Sequence, residues 1–367
     1  MAALSGARIT AFIPTVIPSP TQGVWHLGPV PIRAYALCIV LGIVAAAVVT
    51  EVRMRHRGAP PNLVMDLVVW AVPTGIIGAR IYHVITSPGD YFGRGGDPIR
   101  AFYIWEGGIG IWGAVAGGAV GVWICCRQLG IPLRFVADAV APGLALAQAI
   151  GRWGNYFNNE LYGKQTDLPW GLRIYRWDEG QASLASDTGR PDVLGIYHPT
   201  FLYESLWDLG VAVLVWQLDR RYRFGRGRAF ALYGAAYCVG RFWIEAMRSD
   251  DAQMILGMRL NNWTALIVLI GSLAYFLLVK GPQERMHVAA DGTITMVAFD
   301  APDPVPGAGT ADPDAAGTAA ADAGPDGTVS DGAVPDDAGP DDAVPDEAGP
   351  DVGDAADDAD ARPASKP

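Results

Sequence analysis

The chain has 367 residues, 51% of them hydrophobic and 10% aromatic, and a formal charge of −11. The acid is concentrated at one end. From Asp300 onward 18 Asp and Glu face only Arg362 and Lys366, which leaves residues 1–299 at about +5. The acidic balance therefore belongs to a tail and implies no nucleic-acid partner for the body. The four cysteines (Cys38, Cys125, Cys126 and Cys238) sit in apolar runs without metal-ligand spacing, which argues against a disulfide frame or a zinc site.

Residues 1–33 lack a basic segment leading into an apolar run and a cleavage site, so they read as a leader or interfacial arm. Seven apolar stretches follow, at about 34–51, 63–85, 108–126, 135–151, 200–219, 229–247 and 262–280. Each approaches the roughly 20 residues needed to cross the hydrocarbon core. The expected fold is an all-α integral membrane protein with seven transmembrane helices spread over residues 34–285. In the third stretch Gly113, Gly117 and Gly121 recur every four residues, a spacing that lets two helix backbones approach closely. Arginines gather in alternate short loops: Arg53, Arg55 and Arg57, then Arg127 and Arg134, then Arg220, Arg221, Arg223, Arg226 and Arg228. The positive-inside rule then puts the N-terminus outside and the C-terminus in the cytoplasm, with a long outer loop at 152–199. Residues 286–367 are assigned to a tail. From about Ala301 it is Ala, Asp, Gly and Pro with a near-repeat (AVPDDAGPDD, then AVPDEAGPDV), a composition expected to be disordered.

Several spans carry groups that a purely structural membrane helix has little reason to keep, among them Asp66, Arg80, Asp138, Glu204, Arg241 and Glu245. Asp66 and Asp138, near inner helix ends, read as helix-terminus stabilisers. The densest polar cluster is GRWGNYFNNELYG at 151–163. Arg152 offers a planar fork that fits a phosphate bidentately. Asn155 and Asn158 add neutral donors, and Glu160 either orients the arginine or acts as a base. A polar helix exit would explain one such residue, but five within nine favour an anion site. In GRFWIEAMRSD at 240–250, Arg241, Glu245 and Arg248 share one helical face, as either a structural ion pair or part of the same pocket. By the orientation above both clusters emerge on the outer face. Tyr35, Arg80, Trp105, Glu106, Trp112, His198 and Tyr203 reach the same side; the aromatics read equally as interface anchors, and His198 equally as a capping residue.

Four runs together resemble the bacterial prolipoprotein diacylglyceryl transferase family. The signature G-R-x-G-N-F-x-N-x-E-x-x-G is met at 151–163 except for Tyr156, and WEGGIG at 105–110, HPTFLYE at 198–204 and RFWIE at 241–245 match in type and order. The resemblance covers about 25–285. It implies transfer of the diacylglyceryl group of phosphatidylglycerol to the lipobox cysteine of a preprolipoprotein, forming a thioether and releasing glycerol phosphate. It also implies a site near the outer face of a bacterial cytoplasmic membrane, with no cofactor or metal and with the lipid bilayer as surroundings. The family's essential arginine and asparagine fall on Arg152 and Asn155, its acid and glycine on Glu160 and Gly163, its second arginine and acid on Arg241 and Glu245, and its tyrosine on Tyr35. Many members carry a histidine where this chain has Trp112. Proton acceptance from the thiol is therefore left to Glu160, His198 or Glu245, with Arg152 and Arg241 stabilising the phosphate. Asn158, Arg80, Arg248 and Tyr203 complete the expected binding set. A lipid transporter or an assembly protein with buried ion pairs is the rival reading.

Overall fold

The computed structural model describes residues 16–93, 96–104, 107–108, 110–249 and 254–303. Trp105, Glu106 and the acidic tail beyond Asp303 lie outside them. Eight α-helices occur among the described residues, besides a short 3-10 helix at Pro98–Phe102: α1 (Ala34–His56), α2 (Leu63–Thr86), the single turn α3 (Gly89–Phe92), α4 (Ile111–Leu129), α5 (Leu133–Asn158), α6 (Thr200–Tyr222), α7 (Arg228–Met247) and α8 (Leu260–Leu278). The seven long ones coincide with the seven apolar stretches. Four of them, α1, α2, α5 and α8, are long and apolar enough to cross a membrane. The other three are also long, but glycines in α4 and ionisable groups in α6 and α7 dilute their hydropathy.

The helices carry their apolar residues outward, as lipid-facing helices do. On α1, Leu37, Val40, Leu41, Val44 and Val48 are exposed, whereas Gly42 and Thr50 are buried. Small residues make the helix contacts instead. A Cβ on Gly42 would lie 2.9 Å from the Ala147 carbonyl of α5, and one on Gly143 would lie 2.9 Å from that of Ala46 on α1. The glycine row of α4 packs on α2 in the same way: a Cβ on Gly78 would come within 2.9 Å of Gly117 Cα, and Gly121 sits against Trp70 and Thr74.

Buried ionic contacts lock one end of the bundle. Arg53 of α1 and Arg57, just past its end, reach Asp219 Oδ2 of α6 at 2.8 and 2.7 Å, and Arg53 Nε donates to the Ala139 carbonyl of α5 at 2.9 Å. Asp138 does stabilise a helix N-terminus, but that of α7 rather than its own. Its carboxylate accepts from the Gly227 and Phe230 amides at 2.8 and 3.1 Å. Those are two of the amides a helix leaves unpaired at its start.

Short strands supplement the helices, so the described chain is mostly rather than wholly helical. The pairs β2 (Val24–Leu27) with β3 (Val30–Arg33), β5 (Trp177–Asp178) with β6 (Gln181–Ala182), and β8 (Met254–Ile255) with β9 (Met258–Arg259) are antiparallel hairpins. The strand β1 (Ile17–Pro18) runs parallel to β4 (Leu172–Tyr175), which pairs antiparallel with β7 (Val193–Tyr197). Two expected boundaries move. Helix α5 continues to Asn158, so Arg152 and Asn155 are helical residues, not loop residues. It stops where Asn159 adopts a left-handed φ of 55°, a common way for Asn to end a helix. The tail boundary at 286 cuts through β10 (Glu284–Val288), which pairs with β11 (Ile294–Ala298). Met286 is 2% exposed in a cluster with Met54, Leu63 and Phe135, and its amide donates to the Arg57 carbonyl at 2.7 Å. That hairpin belongs to the body because it buries apolar surface there.

Candidate active site

Three helix ends converge at the other end of the bundle. Arg152 lies in the last two turns of α5, Glu204 near the start of α6, and Arg241 and Glu245 in the last two turns of α7. Ser205 seats α6 against α5, donating to the Ala149 carbonyl at 2.8 Å and accepting from Trp153 Nε1 at 3.2 Å. This brings Glu204, only 6% exposed, between two guanidiniums. Arg152 Nε is ion-paired with Glu204 Oε2, and Arg241 Nη1 donates to Glu204 Oε1 at 3.2 Å. Arg152 Nη2 also meets Tyr237 Oη of α7 at 3.5 Å.

The network continues into Glu245, which is fully buried. Its Oε2 pairs with Arg241 Nη2 at 2.8 Å and lies 3.7 Å from Arg248 Nη1. Its Oε1 meets Arg259 Nε at 3.2 Å and accepts from Asn261 Nδ2 at 2.9 Å. One turn beyond Glu204 on α6, Asp208 is 3% exposed, and its Oδ2 has no hydrogen-bond partner among the described residues. Four arginines thus meet three carboxylates, an arrangement that an added anion would neutralise. Each guanidinium has five N–H donors, and the contacts above use two on Arg152 and two on Arg241.

The other residues of the 151–163 stretch form an adjoining layer. Asn155 and Asn158 both donate to Glu160 Oε1, at 3.2 and 3.1 Å, on the exposed side. Glu160 therefore holds the two amides, and its contacts do not include Arg152. Gly163 stitches the loop to the site: its amide donates to the His198 carbonyl at 3.0 Å, and it bridges to Arg248. A Cβ there would lie 2.7 Å from His198 Cβ and 3.2 Å from the Met247 carbonyl, so only glycine fits. His198 Nδ1 lies 3.3 Å from Tyr203 Oη, which accepts from Trp170 Nε1 at 3.0 Å. Tyr35, at the start of α1, abuts the Arg152 turn, because a Cβ on Gly154 would lie 3.1 Å from Tyr35 Cβ.

Arg80 is placed elsewhere. Its guanidinium donates to the carbonyls of Ala101, Gly107 and Gly108 at 2.8, 2.6 and 3.0 Å and to that of Arg100, and it lies 5.2 Å over Tyr91. Those contacts tie down the segment between α2 and α4, so the structure supplies a local reason for an arginine in that span. Conversely, Glu204 stood among the spans' unexpected charges but not among the expected site residues, and the structure makes it the joint of the network. Asp208, one helical turn from it, and Tyr237, one turn from Arg241, carried a usable signal in their spacing. Arg259 ends β9 and Asn261 opens α8, far along the chain from the other members, and they carried none.

Residues 22–278 match the family model described as prolipoprotein diacylglyceryl transferase. The chain belongs to this family. It is 59% identical over 262 residues to phosphatidylglycerol–prolipoprotein diacylglyceryl transferase 1 of Streptomyces coelicolor, covering 71% of this chain and 73% of that protein. The corresponding transferase of Rhodococcus jostii is 54% identical over 282 residues (75% and 79% covered), and that of Mycobacteroides abscessus 53% over 273 residues (73% and 80%). The family match begins before β2 and ends at the last residue of α8. It therefore contains every residue of the Arg152–Glu204–Arg241–Glu245 network and leaves out β10, β11 and the acidic tail.

Proposed function

We propose that this chain transfers the diacylglyceryl group of phosphatidylglycerol to the lipobox cysteine of preprolipoproteins, at the bundle end where Arg152 and Arg241 share Glu204. The cysteine sulfur attacks the glyceryl carbon that carries the phosphate. A C–S bond forms as the C–O bond breaks, glycerol phosphate leaves, and the thiol proton passes to a base. The protein's work is to hold two substrates in line and to neutralise the charge that grows on the departing phosphate oxygen. Two forked cations suit that task, and the shared Glu204 keeps them close despite their like charge. Asn155, Asn158 and Tyr35 line the approach, and Gly163 and Arg248 fix the loop across it.

Among the three candidate bases, Glu245 is the least accessible, since Arg241, Arg259 and Asn261 take its oxygens. His198 and Glu160 stay nearer the surface and are the better proton acceptors. The arginine-rich loop ends support a reading in which all seven long helices cross the cytoplasmic membrane and this site lies on its outer side.

The observation that carries the reading is the Glu204 bridge between arginines from α5 and α7. The test is purified protein with phosphatidylglycerol and a lipobox peptide, scoring thioether product and glycerol phosphate by mass spectrometry. Arg152→Lys and Arg241→Lys each keep the charge but lose the fork, and each is expected to lower kcat/KM at least 100-fold. Near-parental turnover in either variant would refute the bidentate role.

A further inference from the structure

Helix α6 helps to wall a second cavity at its other end. Asp219 is 15 residues from Glu204, so helical rise separates the two by about 22 Å. The cavity, about 510 Å³, lies among the C-terminal ends of α1 and α6 and the residues flanking the β10–β11 hairpin, Gln283 and Phe299. Arg53, Arg57, Arg220 and Arg223 line it, and Asp219 is the one carboxylate in the lining.

The charges do not balance. Arg53 and Arg57 share Asp219 Oδ2, while Gln283 Nε2 donates to Oδ1 at 3.2 Å. Arg223 pairs with the exposed Asp300. Arg220 has no acidic partner among the described residues. Even with both carboxylates counted, the four guanidiniums of the lining leave an excess of two positive charges; Asp138, outside the lining, accepts from the α7 amides instead. Arg53 and Arg57 are only 7% and 4% exposed, so this is a built recess rather than a loose surface patch. Arg53 and Arg57 set the buried floor of the recess around a single carboxylate, and Arg220 and Arg223 stand exposed at its mouth, so an entering anion would meet cationic forks from both sides.

We propose that this cavity binds a phosphate group, either on a lipid headgroup or as a free phosphate. Phosphate matches the twofold excess of charge and the planar forks of arginine. Basic recesses between helix ends are well suited to anionic headgroups. This site is separate from the transfer chemistry and makes no use of Arg152 or Arg241.

The test uses the full chain in a non-ionic detergent, titrated separately with sodium phosphate and with dioctanoyl phosphatidic acid by isothermal calorimetry. The Arg220→Gln, Arg223→Gln double variant should bind at least tenfold more weakly. Loss confined to the lipid titration assigns the site to headgroups, and loss confined to phosphate assigns it to the free ion. Arg220→Gln alone breaks no ion pair among the described residues and provides a second, fold-neutral arm, with a loss of at least threefold. If neither ligand binds the parent chain, or the variants bind both ligands as tightly as the parent does, the proposal is overturned.

Discussion

Glu204→Gln isolates the charge of the bridging carboxylate while keeping its shape. Glu204 accepts from Arg152 and from Arg241 at 3.2 Å, and it is nearly buried. A glutamine retains one acceptor oxygen but presents an amide N–H₂ to the second guanidinium, donor against donor. Two charge-assisted hydrogen bonds of about 1.5 kcal/mol each amount to about 3 kcal/mol. If that loss fell wholly on the transition state it would be about 100-fold in rate. Part of it falls on the fold instead, because two buried arginines lose a shared counter-ion. The expected outcome is a kcat lowered by about 30- to 100-fold with a lower Tm, while the KM for the lipobox peptide changes less than kcat does. Thioether formation measured by mass spectrometry over a range of phosphatidylglycerol, together with thermal unfolding in detergent, separates the two effects. A variant with parental kcat would refute the view that Glu204 sets the geometry of the two forks.

Gly163→Ala places a methyl against His198 Cβ and the Met247 carbonyl and should lower turnover at least tenfold with a smaller effect on Tm, read in the same two assays. Gly117→Val should instead act on the fold, because α2 and α4 cannot then keep their backbone contact; a Tm drop without a specific kcat defect is the expected pattern. Met286→Ala removes a 2%-exposed side chain from the cluster with Met54 and Phe135 and should cost about 2–4 kcal/mol by denaturant unfolding. An unchanged midpoint would return the hairpin to the tail.

The seven long helices were legible as long apolar stretches, four of them long and apolar enough to cross a membrane, and length survives even where hydropathy is diluted. The glycine row of α4 was legible for a related reason: close helix contact needs small residues at a fixed spacing. The end of α5 was harder to see. Gly151, Gly154 and a run of polar residues suggested a loop, yet no proline falls between Gly151 and Asn158, and Asn159 supplies the actual stop. The 284–298 hairpin was hidden because its two strands are only five residues each and Met286 gains its burial from a cluster drawn from α1, α2, α4 and α5. Within the site, Arg152, Arg241 and Glu245 were visible as costly charges in apolar surroundings. Arg80 was equally costly and equally visible, but its donors serve loop carbonyls, a partner that no spacing rule reveals.

Helix α6 shows why hydropathy alone undervalues such spans. Its buried residues Phe201, Glu204, Ser205, Asp208, Val211, Ala212, Val215 and Asp219 recur every three or four positions, so three carboxylates share its inward stripe while Leu206, Leu209, Val213 and Leu214 face out. Its neighbours provide the opposite charge, Arg152 and Arg241 to Glu204, and Arg53 and Arg57 to Asp219. An acid on this stripe without its arginines would be an uncompensated charge in a dry interior, and the arginines without the acid would repel one another. The helix therefore fixes two cationic clusters, one at each end, without itself contributing a positive charge to the first. At the Glu204 end the arginines converge from different helices with donors to spare, the geometry on which the proposed transfer relies.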